Sequence, residues 1–195
     1  RLVASAPVVS APARSVAAEK ADDGCGLARL ARGEEPGGAV ERRNRELRQR
    51  WLAAMQSSAD ERVRAAGWLI GLAESPEALR DRLATLAATS RDPLVQAYAL
   101  RACRNDATGS SACQALSPQN WAQLDRDNAA AWLAVAADPR VEAAEQLEAL
   151  QQAARGGRVD AHAATLHALV QAAQPAGIDD LDRLTMAREL AGARG

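Results

Sequence analysis

LRQRWLAAMQSSADERVRA (residues 47–65) and LRDRLATLAATSRDPLVQA (residues 79–97) lie 32 residues apart, and seven of their nineteen positions coincide. The shared residues are Leu47/Leu79, Arg48/Arg80, Arg50/Arg82, Ser58/Ser90, Asp60/Asp92, Val63/Val95 and Ala65/Ala97. Each stretch runs as an amphipathic segment, a polar break with an acidic residue, and a second apolar segment, which predicts helix, tight turn, helix. Neither unit has enough apolar surface to fold alone, so a repeat of this period implies units that bury their faces against one another.

The surrounding chain supports helices throughout. Of 195 residues about a quarter are Ala, aromatics make up only 3 %, and Phe is absent. Ala is the strongest helix former, whereas sheets draw on β-branched and aromatic side chains. Val40, Leu47, Trp51, Ala54 and Met55 fall within about a 100° arc at the helical period, the stripe of an amphipathic helix. Ser58, three residues before Glu61, has the spacing of a capping box and predicts the next helix start, with Val63, Ala66, Gly67 and Ile70 on its buried face. A capping oxygen followed by proline then recurs at Ser75-Pro76, Asp92-Pro93, Ser117-Pro118 and Asp138-Pro139. Proline is tolerated at the first helical position because its missing N–H would be unpaired there anyway, so four more helix starts are predicted.

A weaker echo lies downstream. DNAAAWLAVAA (127–137) aligns at a 33-residue offset with DAHAATLHALV (160–170), each opening on an expected Asp cap, and DPRVEAAEQLEALQQAARGG between them supplies a partner helix ended by Gly156 and Gly157. The D-x-x-V-x-A pattern of the first half resembles the second helix of HEAT-type repeats, and WAQLDRDNAAAWLAVA resembles tetratricopeptide-type helix pairs. The resemblance covers roughly residues 40–174. It implies an all-α fold, a right-handed α-α superhelix of stacked antiparallel helix pairs, of a kind that usually binds other proteins or peptides. The expected organisation is an N-terminal arm over 1–38, HEAT-like pairs over 39–104, a linker over 105–116, tetratricopeptide-like pairs over 117–174 and a C-terminal capping helix over 175–195.

Charge narrows the functions. The formal net charge is −1, which argues against a general nucleic-acid binder, a class that relies on a basic surface to neutralise phosphates. Residues 1–104 carry 17 basic and 13 acidic side chains, and the remainder 7 and 12, a modest dipole able to orient a partner. The basic cluster ERRNRELRQRW (41–51) largely neutralises itself through the i, i+4 pairs Glu41/Arg45 and Glu46/Arg50. Arg48, Arg50, Arg80 and Arg82 recur at equal repeat positions and form a candidate basic ladder for a protein partner. The alternative for all four is a solvated ridge.

No residue pattern points to catalysis. A nucleophile elbow, a phosphate loop and a dinucleotide fingerprint are all missing, and the acidic pairs Asp22-Asp23, Glu34-Glu35 and Asp179-Asp180 read as loop or helix-start residues. His162 and His167 are five apart, hence on different helix faces, and no close cysteine pair offers zinc a site. No metal or cofactor is expected. Trp68, Trp121 and Trp132 read as bulky fillers in an Ala-rich core, with a binding groove as their other use.

Cys103 and Cys113 bracket the polar run RNDATGSS between the two halves. A loop of this length brings its ends within disulfide reach, and such a bond persists only in an oxidising compartment; in the cytosol the same thiols would be small core residues. Cys25 would then be free or paired between molecules. The chain opens RLVASAPVVSAPARS, without Met, which reads as a mature start after signal-peptide removal or as an arbitrary boundary. No apolar run approaches the roughly 20 residues that cross a bilayer. The reading that unites these features is a non-enzymatic protein-binding scaffold or adaptor of the cell envelope, periplasmic or secreted, with a cytoplasmic location as the alternative. The competing readings are an inhibitor or immunity-type protein that blocks a secreted enzyme, and a helical cell-wall-active enzyme.

Overall fold

In the computed structural model the residues described are 38–104, 109–180, 182–183 and 185–186. The arm expected over 1–38, apart from Gly38, together with Cys25 and most of the predicted capping helix, lies outside them. Nine helices form among the described residues and no strand. They are α1 (Gly38–Gln56), α2 (Glu61–Gly71), α3 (Pro76–Thr89), α4 (Pro93–Cys103), α5 (Ser111–Gln114), α6 (Pro118–Leu124), α7 (Ala129–Ala136), α8 (Ala143–Arg155) and α9 (Ala163–Ala172). The chain divides into two compact units, Arg1–Arg45 and Glu46–Gly195. Of the first, only the opening turns of α1 belong to the described residues, and helices α2 to α9 all lie in the second.

The 32-residue period is visible atom by atom. Asp60 accepts from the Arg62 amide at 2.8 Å and so caps α2, while Asp92 accepts from the Leu94 amide at 2.9 Å and caps α4. Two residues earlier, the hydroxyl of Ser58 accepts from the Asp60 amide at 3.2 Å and that of Ser90 from the Asp92 amide at 3.0 Å. The guanidinium of Arg48 donates to the Ile70 carbonyl at 3.2 Å, and that of Arg80 to the Ala102 carbonyl at 3.3 Å. Each pair of equivalent bonds is separated by one repeat length. The coincident residues are therefore those that start the second helix and tie its end back to the first.

The helix starts differ from expectation in two places. The predicted capping box is replaced by the Asp60 cap, with Ser58 two residues before it. Prolines 76, 93 and 118 do open helices, but Asp138-Pro139 makes a turn and α8 begins at Ala143. Asp138 is held there by Arg140, whose amide donates to it at 2.9 Å, so the oxygen that would cap a helix is engaged by a side chain and backbone two residues on. Neither Asp127 nor Asp160 caps a helix. Asn128 caps α7 through the Ala130 amide at 3.1 Å, and the residue before α9 is His162, whose φ of 58° is left-handed.

The all-α stack of neighbouring helix pairs has its core in two clusters. The first gathers Leu47, Trp51 and Met55 of α1, Leu83, Ala84 and Ala87 of α3, and Leu94, Val95, Tyr98 and Ala99 of α4. The second gathers Trp121, Ala122, Ala131, Val135, Val141 and Ala149, together with Ala97 of α4. Leu100 packs against both, so α4 is a shared wall. Cys113 and Leu116, at the end of the linker expected over 105–116, are buried in the first cluster. Where Ala dominates, helices approach closely: a Cβ on Gly67 would stand 2.7 Å from that of Met55.

The stack also closes on itself. α9 packs on α2, and the indole of Trp51 donates to the Val170 carbonyl at 3.0 Å across 119 residues of sequence. Val170 and Met186 belong to the first cluster. A helix pair that only extended an open array would contact its sequence neighbours alone.

Candidate functional site

α6 is short because Ser117 caps it at the Gln119 amide, 3.2 Å away, and the backbone turns at Asp125 just beyond Leu124. Trp121 stands at its centre. Beside it α7 and the residue after it present Ala130, Ala134 and Ala137, spaced four and three residues apart and hence on one face, with Leu133 at the edge. Small side chains on that face leave room that Leu or Phe would fill. The result is a groove of about 790 Å³, with Leu100, the Cys103–Cys113 bridge, Trp121, Leu133 and Pro139 in its lining. Leu133 is 46 % exposed, whereas Trp121 offers only a 7 % exposed edge.

The cysteines meet as expected, in disulfide geometry with Cα atoms 5.5 Å apart. Arg140 closes the far end. It holds Asp138 in a forked pair, Nε to Oδ1 at 3.0 Å and Nη2 to Oδ2 at 2.6 Å, and donates to the Gln114 and Leu116 carbonyls, each at 2.9 Å. The hydrogen bonds from Arg140 hold the Asp138 carboxyl below its ordinary range against the opposing effect of burial. One arginine thus links the segment after Cys113 to the turn before α8.

Behind Trp121 lies a polar cluster that sequence reasoning missed. His162 is buried with its ring centroid 6.2 Å from that of Trp121. Its Nε2 is 3.6 Å from Asp125 Oδ2 and its Nδ1 3.4 Å from Asp160 Oδ2. Asn128, fully buried, donates to Asp125 and to the Asp160 carbonyl, each at 2.8 Å, and accepts from the Asp160 amide at 2.9 Å. Arg158 pairs with Asp125, and Tyr98 donates its hydroxyl to the His162 carbonyl at 3.1 Å. These bonds pin the segment 158–162 against the start of α7. The signal available in the sequence was the 33-residue echo itself, since DRDN and RVDAH are its two openings.

The two ring nitrogens of His162 face different carboxylates, and among the described residues no three His, Cys, Asp or Glu side chains converge as a cation would require. Among the described residues of the groove's lining, Arg104, Asp138 and Arg140 are charged.

The arginine ladder divides in two. Arg48 and Arg80 are half-buried and hold the carbonyls of Ile70 and Ala102; Arg48 also pairs with Glu74 at 2.8 Å. Arg50 and Arg82 are exposed. None of the four lines the groove. Of the other tryptophans, Trp132 donates to the Arg126 carbonyl at 2.8 Å, and Trp68 lies under the Arg64 guanidinium, 5.9 Å from its ring centroid.

Compared with family models, curated proteins and solved structures, the chain finds no match.

Proposed function

We propose that the protein is a non-enzymatic scaffold or adaptor that holds an extended peptide segment of another protein, and that it works in an oxidising compartment of the cell envelope. The observation that carries this reading is the apolar groove over α4, α6 and α7, about 790 Å³ in volume, with Leu133 standing exposed at its edge. Sites of that volume, mostly apolar with a few fixed polar groups, are typical of ligand recognition. Arg140 is neutralised by Asp138, so it is Arg104 that favours a segment carrying a carboxylate near its apolar anchor. The compartment is supported by the disulfide forming one wall. Among the described residues no helix is long and apolar enough to cross a membrane.

Selection of binders from a random peptide library, followed by competition, tests the reading. Leu133→Glu is expected to weaken the selected peptides roughly 10-fold or more while leaving helicity unchanged, because an exposed side chain contributes little to the fold and a charge there opposes apolar contact. Replacing Arg48, Arg50, Arg80 and Arg82 separately asks whether the basic ridge takes part. Selected peptides that bind the Leu133→Glu chain unchanged would overturn the groove as the site.

A further inference from the structure

α8 buries Ala149 against α7 and the second core cluster, but another stripe of the same helix is apolar and uncovered. Ala143, Leu147, Leu150 and Ala154 are spaced four, three and four residues apart, which places them within roughly a 60° arc at 100° per residue. All four are exposed, with Leu147 at 59 % and Leu150 at 48 %. α9 does not cover this stripe, since it packs on α2.

The order of residues along the stripe says what fits it. A two-fold contact between identical surfaces requires that if one residue meets another, the second meets the first, so the pattern must read alike in both directions. Taken from a midpoint between Glu148 and Ala149, Leu147 and Leu150 are equidistant, as are Ala143 and Ala154, and as are Glu142 and Arg155. An antiparallel pairing of two α8 helices sets each Leu147 at the level of the other copy's Leu150. It also sets each Ala143 at the level of an Ala154, where small side chains let the backbones approach. Glu142 at one end then stands level with Arg155 of the other copy, opposite in sign, and the helix dipoles oppose. A parallel pairing would instead set Glu142 level with Glu142 and Arg155 with Arg155.

We propose that the exposed face of α8 is a homodimer interface, in which Leu147 and Leu150 of two chains interlock in antiparallel register. A 13-residue helix is about 20 Å long, so the contact is smaller than the standard interface of about 800 Å² per partner. The dimer is accordingly weak and concentration-dependent. It is independent of the peptide groove and survives if that reading fails.

The test is sedimentation of the full chain in a Cys25→Ser background, from micromolar to near-millimolar concentration. The expected mass rises from 20.5 kDa toward twice that value. Leu147→Glu with Leu150→Glu should weaken association roughly 10-fold or more, with far-ultraviolet circular dichroism unchanged because both side chains are exposed. In the same background, a mixture of Ala143→Cys and Ala154→Cys chains should cross-link on oxidation more than either variant alone. A mass of one chain throughout would overturn the proposal, with the face then left to another protein. So would association that ignores the two leucine substitutions, or cross-linking of each variant with itself as readily as in the mixture.

Discussion

Tyr98 shows how much one position carries. It is the single tyrosine of the chain, it sits fully inside the first core cluster, and its hydroxyl donates to the His162 carbonyl at 3.1 Å. Burial pushes its ionisation well above the ordinary value, because the phenolate would lose its hydration. An unfolded tyrosine releases its proton near pH 10, so the folded state binds more proton above that point and stability falls as pH rises. Ultraviolet titration should therefore show no phenolate while the chain stays folded. Ionisation should arrive together with loss of helicity, above the range of free tyrosine, and a smooth titration at about pH 10 in a folded chain would contradict the buried placement. The acceptor of Tyr98 is 64 residues away and belongs to a backbone turn no local pattern describes. His162 illustrates the same limit. Its spacing from His167 was read as if both lay on one helix, whereas it stands before α9 in a left-handed conformation, and its neighbours Asp125 and Asp160 come together only through folding.

Among the elements, the crossing of α1 and α2 is set by the smallest residue in it. A Cβ at Gly67 would come within 2.7 Å of Met55 Cβ and 3.2 Å of the Gln56 amide nitrogen, both fixed by the backbone. Gly67→Ala gains about 1 kcal/mol of helix propensity but forces the two helices apart, and overpacking of this sort costs about 1–3 kcal/mol. A net loss of stability in urea is expected; a gain would mean that the helices separate freely. The disulfide is the second device at this scale. It closes a loop of 10 residues between α4 and α5, for which chain entropy suggests about 2–3 kcal/mol. Replacing Cys103 and Cys113 together by Ser should lower stability by that order with the helical content retained, measured by denaturant unfolding of the oxidised parent and the variant. Both elements were partly legible. Recurring proline starts, acidic caps and the cysteine spacing are local signals, and three of the four proline starts open helices. Asp138-Pro139 failed because the same two residues suit a turn equally well once Arg140 takes the carboxylate.

For the compact unit over 46–195, closure of α9 on α2 separates this fold from an open repeat array. Ending the chain at Gly156 removes Val170 from the core and leaves the Trp51 indole N–H without its carbonyl acceptor. In an open array the earlier pairs would survive such a cut, because each unit depends only on its neighbours. Here the truncated chain should bind hydrophobic dyes and lose its sharp unfolding transition. Retained cooperative unfolding of α1–α4 would show that closure is dispensable. What the sequence determined by itself was the helical class, the 32-residue period and most of the helix starts, because these depend on propensities and hydrogen bonds within a few turns of chain. Only the tertiary structure decided that α4 serves two cores, that Cys113 and Leu116 are buried, that Asp125, Asn128, Asp160 and His162 form one cluster, and that α9 returns to α2. Those features rest on which apolar faces find one another across long loops, and an Ala-rich stripe is too uniform to specify its partner before the chain has packed.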